Sequence, residues 1–138
     1  MKKLISIFIL SLLFITTHAD THYVNSGNFY YSPSSLTIDV NDTVVWLNVQ
    51  GYHNVNFANS AITGNSYGNP VSFISSPTAA DTIYIYTFSV PGFYQYDCSV
   101  GSHAASGMVG TITVNANTDC NGVVNGTSTT DTCGVCQQ

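Results

Sequence analysis

Between residues 21 and 114 apolar and polar residues alternate with a period of two, and clusters of turn residues interrupt the pattern. That period belongs to half-buried β-strands, because successive strand side chains point to opposite faces of a sheet. Leu36, Ile38 and Val40 take one face of the stretch 36–40, while Thr37 and Asp39 take the other. Asn41-Asp42 supplies a turn, and 43–49 (TVVWLNV) reads as the next strand. Residues 82–90 (TIYIYTFSV) form another, closed by Pro91-Gly92, and 93–98 (FYQYDC) and 108–114 (MVGTITV) are the last two. An earlier pair, 21–25 and 29–33, starts the sheet. No segment sustains a period of 3.6, and 58–69 holds at most a short helical turn. Seven or eight short strands predict an all-β domain, a Greek-key antiparallel β-sandwich.

Charge narrows the partners. The only cations are Lys2 and Lys3, all seven acidic residues are aspartates, and the formal net charge is −5. Without Glu, and without Lys after residue 3, the chain lacks the residues that usually cover exposed helix faces. A surface without cations cannot neutralise phosphates, which argues against nucleic acid and anionic membranes as partners. It would attract a partner with a basic docking surface.

The first residues are of another kind. Lys2 and Lys3 precede an apolar run from Leu4 to Ile15, and Thr17-His18-Ala19 fits a small-x-small cleavage site. Residues 1–19 therefore read as a secretory signal peptide, whose apolar run is too short to span a bilayer. No integral membrane segment is expected after its removal, and the expected location is secreted: periplasmic, extracellular or cell-surface. Residues 20–115 form the domain, and 116–138 a short Cys-rich C-terminal tail or partial repeat. The tail has no aromatic residue but holds Cys120, Cys133 and Cys136. One disulfide among these leaves an odd thiol, which points to an intermolecular bridge or attachment to a larger protein. Cys133-x-x-Cys136 lacks a fourth metal ligand, and Asp119, Asn121 and Asp131 do not match a full calcium loop.

Chemistry concentrates in 94–114, where Cys98, His103 and Met108 are each five residues from the next. A thiolate, an imidazole and a thioether form a soft donor set suited to copper. A strand ending at Cys98 and one starting at Met108, joined by a loop carrying His103, bring the three together at one end of the sandwich. A trigonal copper site also needs a second histidine, and His53 stands just past the 43–49 strand. Four cysteines in a secreted chain also allow a disulfide from Cys98 to the tail, but the surrounding ligand pattern favours a free thiolate. Met108 is otherwise core filler, and His22 a strand-edge residue without a partner. His18 leaves with the signal.

The run VVWLNVQGYHNV, the later PGFYQYDC and the closing MVGTITV resemble the cupredoxins, the type 1 blue copper proteins, and most of all their plastocyanin- and phytocyanin-like members. The likeness covers about residues 22–115. Phytocyanins usually place a disulfide cysteine right after the loop histidine, where this chain has Ala104, so a plastocyanin-like or bacterial-type cupredoxin is the better match. The resemblance implies one type 1 copper per chain on His53, Cys98 and His103, with Met108 as the weak axial donor. It also implies that His103 is the electron port. Asn54 is expected to hydrogen-bond the Cys98 sulfur by its backbone amide or its side chain, and Phe57, Tyr94 and Tyr96 either exclude water there or simply pack the core.

Three strong ligands and a weak fourth leave no position for substrate, so a single-electron carrier between redox proteins is expected, not an enzyme. A copper oxidase would need more histidines than the remaining His22. The alternatives are a copper chaperone or store, or a cell-surface module in which copper is secondary. A chaperone would favour a Met-rich open site, and this chain has only Met1 and Met108.

Overall fold

The computed structural model describes residues 19–123, 128–131 and 133–137; residues 1–18, on which the signal-peptide reading falls, lie outside the described residues. Seven strands follow the predicted order: β1 (Thr21–Gly27), β2 (Tyr30–Ser32), β3 (Ser35–Asp39), β4 (Thr43–Asn48), β5 (Thr82–Thr87), β6 (Gly92–Asp97) and β7 (Val109–Asn115). They form two sheets, of order β2-β1-β4-β5 and β3-β7-β6, with no helix among the described residues. The β1/β2, β4/β5 and β6/β7 pairs are antiparallel, whereas β1/β4 and β3/β7 are parallel. Both parallel pairs follow from crossing between sheets. After β2 the chain passes to the second sheet for β3 and returns to lay β4 beside β1 in the same direction.

The alternation read from the sequence is the alternation of burial. Val44 and Trp46 of β4, Tyr94 and Tyr96 of β6, and Ile112 and Val114 of β7 all point inward. They meet Val24, Ile38, Phe57 and Phe88 in one cluster shared by the two sheets. Aromatic rings dominate it: Phe57 stacks on Tyr96 at 4.7 Å and on Phe73 at 4.4 Å, and Trp46 meets Phe57 edge-on at 5.8 Å. The Tyr96 ring lies flat over β7 only because residue 110 is glycine, where a Cβ would come within 2.6 Å of the ring.

The Asn41-Asp42 turn forms, with Asn41 at φ 76°. Its buried aspartate also ties down the start of β1. Asp42 accepts hydrogen bonds from Asp20 N–H (2.8 Å), Asp39 N–H (3.0 Å) and the His22 ring (Nε2, 2.8 Å). His22, read from the sequence as unpartnered, thus pairs with Asp42 across twenty residues of chain. Their contact arises because β1 and β4 lie side by side, which local spacing does not reveal.

The tail adds β8 (Thr129–Thr130) and β9 (Cys136–Gln137), joined to its start by a Cys120–Cys136 disulfide, with Cys133 free and exposed. Two similar turns build it. Asp119 Oδ1 accepts the Asn121 and Val123 N–H groups at 3.0 and 2.8 Å, and Asp131 Oδ1 those of Cys133 and Val135, both at 2.9 Å. Each carboxylate is therefore engaged by its own loop.

Two measurements check these assignments. Gly110→Ala is expected to cost about 1–3 kcal/mol in denaturant unfolding through overpacking against Tyr96, and an unchanged midpoint would refute the close approach. Burial pushes the Asp42 carboxyl up, but the Asp20, His22 and Asp39 hydrogen bonds outweigh it and hold the group below its ordinary value of 3.8. Stability from a group so depressed is complete above the ordinary value and disappears as pH falls through the folded one. The stability gap between wild type and Asp42→Asn, expected at about 1–3 kcal/mol near neutral pH, should close on acidification below that value. A gap that stays constant into strong acid would contradict it.

Candidate metal centre

His53 enters the site from a turn that leaves β4. Gly51 adopts φ 102°, and a Cβ there would strike the His53 ring. Backbone bonds in both directions with Thr78, at 3.0 and 2.8 Å, then hold residue 53 in place. On the side away from the site, the ring is oriented by the bond from Nε2 to the Gln50 carbonyl at 2.7 Å. A carbonyl only accepts, so Nε2 carries the proton and Nδ1 presents a lone pair.

Cys98 follows β6 and is fully buried and free of any disulfide. Its backbone N–H donates to the Met108 carbonyl at 3.1 Å, closing the loop from 99 to 107. Within the loop the Met108 N–H donates to the His103 carbonyl at 3.0 Å, and Gly107 turns at φ 108°. The small residues Gly101, Ser102, Ala104, Ala105 and Ser106 allow so tight a return.

The three donors converge. His53 Nδ1 and His103 Nδ1 are 3.2 Å apart, Cys98 Sγ lies 3.4 Å from His103 Nδ1, and it lies 3.8 Å from His53 Nδ1. A first-row ion held ~2.0–2.1 Å from nitrogen and ~2.3 Å from sulfur, at angles of roughly 100–120°, separates its donors by about 3.2–3.8 Å. The observed separations fall in that range, and a thiolate with two imidazoles is a copper set. Burial, and then the neighbouring His53, push the His103 imidazole below its ordinary value, which keeps it neutral and able to ligate near pH 7. Met108 is also buried, and its backbone bonds to both Cys98 and His103 anchor it beside them.

The neighbours differ in part from expectation. The Asn54 side chain does not reach the sulfur. It grips Ser99 instead, accepting from its N–H at 2.8 Å and donating to its Oγ at 2.9 Å. The strand must satisfy the backbone of the residue after the ligand, and Asn54 lies opposite it. Phe57 and Tyr96 stack on each other in the core beneath the site. Tyr94, four residues from Cys98 along β6, packs against Phe88 at 5.1 Å and bonds Val90 O, so it fills the far core.

Two residues escaped the sequence reading. Tyr31 of β2 is buried, donates its hydroxyl proton to Asn54 O at 2.6 Å, and lies close enough to Cys98 that, after burial, the cysteine's charge raises its phenol pKa. Phe29, at φ 64° and 46% exposed, meets the His103 ring edge-on at 5.2 Å. Phe29 lies in the turn before β2 and Tyr31 on β2, a segment far from the ligands in sequence, and no local pattern marks them.

Comparisons with known proteins agree with this geometry. A family model described as copper binding proteins, plastocyanin/azurin family, matches residues 19–115. Plastocyanin from Scenedesmus fuscus is 34% identical over 91 residues, which cover 65% of this chain and 91% of that protein. Chloroplastic plastocyanin from Hordeum vulgare is 33% identical over 92 residues, covering 66% of this chain but only 58% of the relative's length. Among solved structures, an amicyanin variant with Cu(I) superposes with a TM-score of 0.52 at 23% identity, covering 69% of this chain and 82% of that one, a likeness of fold. With His53, Cys98 and His103 gathered as a single copper site, the chain belongs to the plastocyanin/azurin family of copper-binding proteins.

Proposed function

We propose that this protein is a secreted blue copper protein that carries single electrons between redox partners, and that Met108 would complete the ligand set as a weak fourth donor. The observation that carries the reading is the closed donor triangle of one buried cysteine and two histidines, 3.2–3.8 Å on its sides. Copper, when bound there, supplies a one-electron couple between Cu(I) and Cu(II). The chain's part is to hold the donors still. The Gln50 carbonyl locks the His53 ring, the Cys98–Met108 backbone bond locks the loop, and Asn54 locks the residue after the thiolate. Donors that do not have to move between oxidation states leave little rearrangement to slow electron transfer. With His53 and Cys98 buried and only His103 partly exposed, three strong ligands leave no position for substrate, which speaks for a carrier and against an enzyme.

His103 is the port in this reading, because it is the partly exposed ligand and has the exposed Phe29 edge against it. A chain with net charge −5 and no cation beyond residue 3 suits a partner with a basic docking face and a short-lived contact. Residues 1–19 serve as the signal peptide, 20–115 as the copper domain and 116–138 as a tail. The exposed Cys133 favours a disulfide from that tail to another chain.

Cu(II) added to the refolded protein is expected to give an intense blue absorption and a narrow copper hyperfine splitting, both abolished in Cys98→Ser. A colourless wild type, or a Cys98→Ser variant that stays blue, would defeat the carrier reading. Met108→Leu should remain blue but show a higher reduction potential, since removing a donor disfavours the more highly charged Cu(II). A potential equal to or below that of wild type would remove Met108 from the ligand set.

A further inference from the structure

Next to the thiolate ligand stands an acidic residue that neither ligation nor ordinary packing explains. Asp97 is completely buried, yet no cationic side chain exists beyond residue 3 to pair with it. A buried carboxylate without a counter-ion persists only if hydrogen-bond donors surround it. Three do. Asn56 Nδ2 donates to Oδ1 at 2.8 Å, while Ala61 N–H and the Tyr67 hydroxyl donate to Oδ2 at 2.6 and 2.7 Å. All three contacts bring protons to the carboxylate, as the ionised form requires. Tyr67 responds in kind, since burial and then the bond and charge of Asp97 raise its phenol pKa.

The placement matters for copper. Asp97 and Asn56 also exchange both backbone hydrogen bonds, at 2.9 and 3.1 Å, so the segment leaving His53 is joined to β6 one residue before Cys98. Asn54 and Ser99 join the same two segments one residue after it. Cys98 is thus bracketed on both sides by links to the chain that carries His53. One of those links contains a negative charge that is fully buried from bulk solvent and so weakly screened. Such a charge stabilises Cu(II) relative to Cu(I), because the oxidised site is the more positive.

We propose that Asp97 is a positioning residue of the copper site, which holds the Cys98 strand against the His53 segment through Asn56, Ala61 and Tyr67 and whose buried charge biases the site toward Cu(II). The inference rests on the copper-carrier reading and assigns it a determinant of potential outside the ligands.

The test compares reduction potential, blue absorption and metal-free melting temperature in three variants. Asp97→Asn removes the charge and should stay blue while its Cu(I)/Cu(II) ratio at fixed potential rises about tenfold, an upward shift of about 59 mV for one electron. Tyr67→Phe keeps the charge and loses one hydrogen bond. It should melt lower without copper, yet shift the potential by less than a third of that amount. Asp97→Ser, with room for water to meet the three donors, is the second neutral variant and should match Asp97→Asn in potential. An unmoved potential in either folded neutral variant would overturn the proposal. So would failure of both to fold while Tyr67→Phe stays native in melting and spectrum, since Asp97 would then be structural only. A wild type that binds no copper overturns the carrier reading and this inference together, whereas a blue wild type with an unmoved Asp97→Asn potential overturns this inference alone.

Discussion

Everything at the metal end of this sandwich depends on three lone pairs aimed at one small volume. Two of them, from Cys98 and His103, arrive on a single tight loop, and the third comes from a different part of the chain. The hydrogen bond from His53 Nε2 to the Gln50 carbonyl is the step that makes this possible. It places the proton on the nitrogen that faces away and leaves the other free to ligate. Reversed, the same ring would present an N–H to the site and repel an ion.

Around that constraint the rest of the structure reads as support. The aromatic core beneath the site, from Trp46 through Phe57 to Tyr96, gives the loops a rigid floor. Polar residues then hold the two ligand-bearing segments together. Asn54, Asn56 and Asp97 are buried, and each has its polar atoms engaged by backbone or by another side chain. Buried polar groups so satisfied specify one register of packing, where an apolar interface would tolerate sliding. The chain's shortage of cations shapes this solution, because its buried carboxylates rely on neutral donors and a histidine.

Much of this was legible in advance. The period-two pattern located all seven strands of the sandwich, because alternation is a direct imprint of one face being buried. The ligands Cys98 and His103 stood out because their chemistry is rare and their spacing short, and His53 because a strand end was the right place for a second imidazole. What escaped detection shares a different property. Tyr31, Phe29, the His22–Asp42 pair and the role of Asp97 all depend on segments distant in sequence lying side by side. A tyrosine on an alternating strand looks the same whether its hydroxyl meets solvent or a ligand's neighbour. Where the Asn54 side chain goes was hidden for the same reason, since only the register of two segments decides whether that side chain meets a sulfur or the next residue's backbone.

The amino-acid sequence by itself determined the class of fold, the identity of the donors and the preference for copper. These follow from periodicity and from the softness of thiolate and imidazole, properties that residues carry wherever they lie. Only the tertiary structure decided that the donors converge within 3.8 Å, which nitrogen of His53 is free, and which polar groups sit behind the thiolate. Those outcomes are set by the crossing of the chain between two sheets, which makes neighbours of β1 and β4 and of the segments holding residues 53–56 and 97–99. Hydrogen bonds and lone pairs act over a few ångströms in fixed directions, so they are specified by that adjacency and not by distance along the chain.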